Sequence, residues 1–164
     1  MTTRTHSRST RFNSAFTLVE LLIVVAILGI LAAIAVPSTS SAAEDSAVSA
    51  VAMELKNYQS AASQYMVLTG NLLPDSASGA IPAGLETFIR PAMWLDGTAA
   101  GGVWDTELNS FGVTSAIGIH FNGTGTTRDD GFMTRVDALV DDGDLSTGLF
   151  QKLAADRYYI ILVP

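Results

Sequence analysis

A single acidic side chain, Glu20, lies inside the most apolar part of this chain. Eighteen of the 21 residues from Phe16 to Val36 are hydrophobic, and no charged residue occurs from Leu21 to Ala43. A charged side chain at the centre of a bilayer costs about 2.5 to 3.5 kcal/mol on insertion scales, and such a group is usually functional. The alternative is a solvated, inert acid near a membrane surface. Glu20 is therefore the first candidate for a functional residue.

The apolar run itself predicts a membrane-spanning helix over about residues 16–36, because roughly 20 apolar residues cross a bilayer. Three arginines and no acids precede it, whereas residues 16–164 carry six basic and 16 acidic side chains, a net charge of −10. The positive-inside rule then places residues 1–15 in the cytoplasm and the body of the protein across the membrane.

Two processing schemes fit this layout. In the first, the run is an ordinary signal peptide, cut near Ala33-Ile34-Ala35 or Ser40-Ser41-Ala42 to release a soluble domain. In the second, the cut falls before the run and the apolar helix is retained. A discarded signal peptide gains nothing from Glu20, so this residue favours retention.

The residues around Glu20 resemble the class III signal of type IV prepilins and type II secretion pseudopilins. The resemblance rests on the Phe-Thr-Leu-Val-Glu sequence that starts at Phe16, on Gly29 and on Pro37. It implies that a prepilin peptidase cuts between Ala15 and Phe16 and methylates the Phe16 amino group. Ala15 stands where the family usually has glycine, and it keeps the small side chain that such a cleavage site needs.

The same resemblance implies how the protein would assemble. Glu20 would pair with the amino group of Phe16 in a neighbouring subunit, and the long helix would bend at Pro37. The implied partners are the prepilin peptidase, identical or related pilin subunits, an assembly platform membrane protein and, before assembly, the lipid bilayer. Filament-core packing is expected of Leu21, Leu22, Val25, Leu28 and Gly29. The implied location is the bacterial inner membrane, with the N-terminus cytoplasmic, and then a periplasmic or extracellular filament.

Helical periodicity continues beyond the apolar run. Apolar residues spaced three and four apart form one helix face, and Gly70 is a stop signal. This face comprises Val48, Val51, Ala52, Leu55, Tyr58, Ala62, Tyr65 and Met66. The predicted organisation is therefore a cleaved leader over 1–15, a long helix over 16–69 and a globular domain over 70–164. The predicted fold is α+β and type IV pilin-like, with the long helix packed on a small antiparallel β-sheet.

Short elements are predicted within residues 70–164. Glycines and Asn122-Gly123 supply turns, and β-branched or aromatic runs indicate strands. The expected elements are one or two helical turns in Pro82–Arg90 closed by Pro91, strands at Val103–Thr106, Ile117–Phe121 and Tyr158–Val163, and a short helix that contains Phe132, Met133, Val136, Leu139 and Val140 and ends at Gly143. The aromatic residues Trp94, Trp104, Tyr158 and Tyr159 are expected to pack in the core or on the sheet.

An acidic turn is the one candidate for a metal site. Asp141, Asp142 and Asp144 surround Gly143, and Asp137 shares a helix face with Asp141. Oxygen ligands of this kind suit Ca²⁺, and some major pseudopilins hold calcium in a C-terminal loop. The alternative is a solvated acidic turn partly neutralised by nearby basic residues. No cofactor is otherwise expected.

Several functional classes are disfavoured by composition. The chain has no cysteine, so disulfides and thiolate chemistry are absent, and its acidic body disfavours nucleic-acid binding. Nucleophile-elbow, P-loop and His-Glu-x-x-His motifs are also missing, so no catalytic residue is assigned. The sequence predicts a structural subunit of a type IV pilus-like or type II secretion pseudopilus filament. The alternative is an exported or membrane-tethered binding domain, and an enzyme is the third candidate.

Overall fold

The computed structural model describes residues 16–123 and 126–164, without the side chains of residues 34–41. It contains two compact units, and the boundary falls between Ser41 and Ala42. The helices are α1 (Leu18–Thr69), α2 (Pro91–Leu95) and α3 (Asp130–Val140), with a short 3₁₀ helix at Leu85–Thr87. The strands are β1 (Val103–Ser110), β2 (Val113–His120), β3 (Phe150–Ala154) and β4 (Arg157–Val163).

Helix α1 ends beside the predicted stop. Gly70 adopts a φ of 70° and donates its N–H to the carbonyl of Met66 at 2.9 Å. The helix assignment includes Pro37, whose side chain lies outside the described part, so the bend at this residue stays a prediction.

The apolar content of α1 bears on whether this helix could cross a membrane. In the part of the chain that the structure describes, no helix combines the length and hydropathy needed to cross a bilayer. The span over residues 16–36 stays a prediction.

The C-terminal unit confirms the α+β fold class. Its four strands form one antiparallel sheet in the order β1-β2-β4-β3. One face of the sheet packs against the part of α1 that follows residue 42, through the periodic apolar side chains predicted from the sequence. Val51, Leu55 and Ala62 are almost completely buried there, together with Ile117, Ile119 and Ile160 of the sheet.

Aromatic side chains form the centre of this core. The ring of Tyr58 on α1 contacts Trp94 and Trp104 edge to face, with centroid distances of 5.1 and 4.5 Å. Both indole N–H groups are satisfied, since Trp94 donates to the carbonyl of Ala80 and Trp104 to that of Gly97. The expectation of core packing for these tryptophans is confirmed, and edge-to-face pairs add stability beyond area burial.

Several local predictions differ from the observed elements. Strand β1 is longer than predicted because it joins β2 through a two-residue turn at Phe111 and Gly112, both with positive φ (51° and 84°). Such a turn usually carries Asn-Gly or Asp-Gly, so the residues Phe111-Gly112 did not indicate a hairpin turn. Pro91 begins α2 at its first position rather than closing a segment. Strand β3 was not predicted.

Helix α3 is attached to α1 by polar contacts. Its N-terminus is capped by Asp129, whose carboxylate accepts the N–H of Phe132 at 2.9 Å. Arg135 pairs with Glu44 at 2.9 Å and with Asp45. Near the other end of α3, the Nζ atom of Lys56 on α1 donates to the carbonyl of Leu139 at 2.7 Å, so the C-terminal end of α3 also lies beside α1.

Candidate functional site

Glu20 closes the first turn of α1 as a capping box with Thr17. The Oε2 atom of Glu20 accepts hydrogen bonds from the Thr17 N–H at 2.8 Å and from its hydroxyl at 2.9 Å. In return, the Glu20 N–H donates to the Thr17 hydroxyl at 3.2 Å. A capping box satisfies N–H groups that have no partner within the helix. The carboxylate is thus held at the helix start, where it is exposed.

The helix surface that follows Glu20 is apolar and open. The side chains of Leu21, Leu22, Val25 and Leu28 are between 56% and 61% exposed. A Cβ atom added at Gly29 would have no neighbour within 4 Å. Contiguous exposed apolar surface usually marks a contact with another protein or with a membrane. All five predicted packing residues are therefore accessible to a partner, while Ala15 lies outside the described residues.

Comparisons with known proteins address this segment and the fold separately. Residues 10–36 match the family model of the prokaryotic N-terminal methylation motif. Among solved structures, the chain is similar to the major type IV pilin PilA1 from Clostridium difficile, with a TM-score of 0.52 and 19% identity over 74% of this chain and 97% of that chain. The chain has a type IV pilin-like fold. No match was found among curated proteins.

The motif and the fold together support a filament subunit of the pilin type. The methylation motif indicates a precursor anchored in a membrane.

A second group of candidate side chains lies at the C-terminal end of α3. Carboxylate oxygens of Asp137, Asp141 and Asp142 all lie within 4.8 Å of one another. Asp137 is completely buried, and a backbone hydrogen bond from Gly143 partly offsets the effect of this burial on its pKa. Burial raises the pKa of Asp137 to about 6, with further contributions from the charges of Asp142 and Asp141.

Asp144, the third calcium candidate from the sequence, has a different role. Its Oδ1 accepts hydrogen bonds from the Ser146 N–H at 3.0 Å and from the Ser146 hydroxyl at 2.6 Å. These bonds lower the pKa of Asp144. The three neighbouring carboxylates are therefore those of Asp137, Asp141 and Asp142, and Asp144 is not among them. The signal was present in the sequence, because Asp137 falls at helical spacing on the face of α3 that buries Met133 and Val136.

A third group is a buried polar cluster on the face of the sheet opposite α1. Asp105 is its centre, and its Oδ2 accepts hydrogen bonds from Ser78 at 2.9 Å, from Arg157 at 2.9 Å and from the Tyr159 hydroxyl at 2.8 Å. Arg157 also pairs with Glu107. Burial raises the pKa of Glu107, and the Arg157 charge opposes that rise.

A row of contacts at this cluster resembles a catalytic triad and joins Ser78, His120 and Asp156. Ser78 Oγ is 2.7 Å from His120 Nδ1, and His120 Nε2 is 3.1 Å from Asp156 Oδ2. However, the Ser78 hydroxyl donates its hydrogen to Asp105. A nucleophilic serine must instead give its proton to the base. The contacts therefore fit a structural polar cluster, and no catalytic residue is assigned.

Proposed function

We propose that this pilin-like protein is a structural subunit of a type IV pilus-like or type II secretion pseudopilus filament. A prepilin peptidase cuts between Ala15 and Phe16 and methylates Phe16. The apolar helix over residues 16–36 then holds the subunit in the bacterial inner membrane until it enters the filament, which is periplasmic or extracellular. The assembly platform membrane protein extracts it, and the energy comes from other chains.

The observation that carries this proposal is an exposed carboxylate at the start of an exposed apolar helix. Both hydrogen bonds that Glu20 accepts from Thr17 end on Oε2, so Oε1 can pair with a second group. Cleavage before Phe16 creates a new positive amino group four residues before Glu20. In a filament, the amino group of a neighbouring subunit supplies the opposite charge that a carboxylate needs in an apolar surrounding.

Apolar packing supplies the remaining stabilisation. The exposed side chains of Leu21, Leu22, Val25 and Leu28 contact lipid first and equivalent helices of other subunits later. Lipid tails are as apolar as these side chains, so close packing and the charge pair favour association rather than hydrophobicity alone. Gly29, whose Cβ position is open, allows close approach of a neighbouring helix.

Two variants separate the pairing of Glu20 from its role in the capping box. Glu20→Gln keeps the capping box, because glutamine fits the third helical position as well, but it removes the charge. Thr17→Ala removes the cap and keeps the charge. We expect Glu20→Gln to lower the amount of subunit in sheared filaments at least about tenfold and Thr17→Ala to have a much smaller effect. Immunoblots of membranes check that both precursors are made and processed.

The opposite pattern would reject the pairing. If Glu20→Gln assembles at the wild-type level while Thr17→Ala does not, the carboxylate acts only as a helix cap.

The alternative function is an exported or membrane-tethered binding domain with an ordinary signal peptide. It is favoured by the compact unit that starts at Ala42, close to where signal peptidase would cut. In that case the mature protein begins near Ala43 and carries no methylated residue.

A further inference from the structure

An open cleft of about 480 Å³ lies between α1 and the segment that joins the 3₁₀ helix to α2. One wall is a single face of α1, on which Glu54, Tyr58 and Ala61 are spaced four and three residues apart. The other wall consists of residues from 87–93. Sites for small molecules are usually clefts of about 300 to 1,000 Å³, lined by apolar side chains and a few polar groups. This cleft has that size and that composition.

Both walls of the cleft are held by the core. The Tyr58 ring packs edge to face against Trp94 and Trp104. Leu85 and Trp94, which flank the second wall, are almost completely buried. Residues 87–93 therefore cannot move away from α1 without opening the core. A ligand would enter a site that is already formed, which reduces the entropy lost on binding.

Glu54 supplies a carboxylate that lacks a matching cation. Among the residues that the structure describes, no arginine or lysine forms a salt bridge with it. A backbone hydrogen bond from Ala99 offsets part of the cost of its burial, whereas the buried Oε2 atom has no hydrogen-bond partner. Burial raises the pKa of Glu54. A cation that enters the cleft would stabilise the ionised form of this carboxylate.

Arg90 supplies the opposite charge on the second wall. Its side chain is exposed, and it forms no salt bridge with any other described residue. A guanidinium group can bind a carboxylate through two parallel hydrogen bonds. The rest of this wall is mostly apolar, because Phe88, Ile89 and Met93 also line the cleft.

We propose that this cleft binds a zwitterionic α-amino acid with an apolar side chain. The ammonium group of the ligand lies on Glu54 and its carboxylate lies on Arg90, while its side chain contacts the apolar residues of the second wall. A ligand with one charge would leave either Glu54 or Arg90 without a partner. This role is separate from filament assembly, because every lining residue belongs to the unit that starts at Ala42.

The test is ligand binding to the purified full chain in detergent micelles, with L-leucine and its two halves as probes. 3-Methylbutylamine is leucine without the carboxylate, and 4-methylpentanoate is leucine without the ammonium group. Isothermal calorimetry and saturation-transfer NMR measure binding at neutral pH. We expect leucine to bind with a Kd of about 10⁻⁵ to 10⁻³ M. Each half should bind at least about tenfold more weakly, because a hydrogen bond between charged groups is lost.

Paired variants assign the two charges to their residues. Glu54→Gln keeps the shape of the side chain and should weaken leucine and 3-methylbutylamine at least about tenfold, with 4-methylpentanoate unchanged. Arg90→Gln should weaken leucine and 4-methylpentanoate and leave 3-methylbutylamine unchanged. Asp96→Asn is the matched control, since Asp96 is an exposed acid at the end of α2 that does not line the cleft. This control should bind leucine as the wild type does.

Three results would overturn the proposal. One is a wild-type protein that binds no leucine at millimolar concentration. Another is 3-methylbutylamine that binds as tightly as leucine, which would reject the role of Arg90. The last is leucine binding that both Glu54→Gln and Arg90→Gln leave undiminished, which would mean that leucine binds outside this cleft.

Discussion

Gly118 shows at the level of one residue how the polar cluster is assembled. It lies between Asp105 and Tyr159 in the register of β1, β2 and β4. A Cβ atom at Gly118 would lie 2.5 Å from the Cα and 2.8 Å from the Cγ of Tyr159. The absent side chain thus lets the Tyr159 ring cross β2 and donate its hydroxyl hydrogen to Asp105.

Gly118→Ala is therefore expected to destabilise the protein by about 2 to 3 kcal/mol or more, since overpacking displaces backbone as well as side chains. Gly131→Ala is the matched control. Gly131 lies in α3, and the nearest atom to its added Cβ is 3.5 Å away, so this variant should be neutral or up to about 1 kcal/mol more stable. Urea unfolding of both full-length variants checks the difference, and equal stabilities would contradict the packing assigned to Gly118.

The buried carboxyl group of Glu107 should make the free energy of unfolding depend on pH. Burial raises its pKa in the folded state. The stability associated with this group is therefore fully present below its unfolded pKa, about 4.3, and is lost as the pH rises through the higher folded value. We expect the free energy of unfolding of Glu107→Gln, relative to wild type, to increase from pH 4 to pH 7. A constant difference across this range, measured by urea unfolding, would show that Glu107 does not titrate in this way.

Helix α1 is the element on which the C-terminal unit depends most. Leu55 is 1% exposed against the sheet, whereas Met53, two residues earlier, is 66% exposed. Leu55→Ala should cost about 2 to 5 kcal/mol through lost burial and a cavity. Met53→Ala should change stability by less than about 0.5 kcal/mol. Thermal unfolding distinguishes the two, and a similar loss in both would mean that α1 packs through another face.

Elements with a strong local signal could be predicted from the sequence. The buried face of α1 follows from the periodicity of its apolar residues. Strand β3 could not be predicted, because Phe150–Ala154 mixes apolar and polar residues and becomes a strand only through its pairing with β4. The turn at Phe111 was hidden for a related reason, since its positive φ is imposed by the hairpin.

The candidate sites divide in the same way. Glu20 is conspicuous because its neighbours in sequence are apolar. The burial of Asp137 could not be predicted, because it depends on which face of α3 packs against the core. The cluster around Asp105 joins residues from the segment before β1 and from β2 and β4, such as Ser78, His120 and Tyr159. Contacts between residues so far apart in sequence depend on strand register, which no local pattern specifies.

At the scale of the whole molecule, apolar and charged residues are separated along the chain. The first unit contains the exposed apolar helix surface, and the unit that starts at Ala42 contains a closed core and nearly all acidic side chains. The proposed function uses this separation, because one part must be stable in lipid and in a filament while the other faces water. The retained apolar helix is therefore the central claim.

Mass spectrometry of the N-terminal peptide, from protein recovered in sheared filaments or membranes, tests this claim most directly. The expected mature chain starts at Phe16, carries one methyl group on its amino nitrogen and retains Glu20. A mature chain that starts near Ala43 would contradict the claim and favour the exported binding domain.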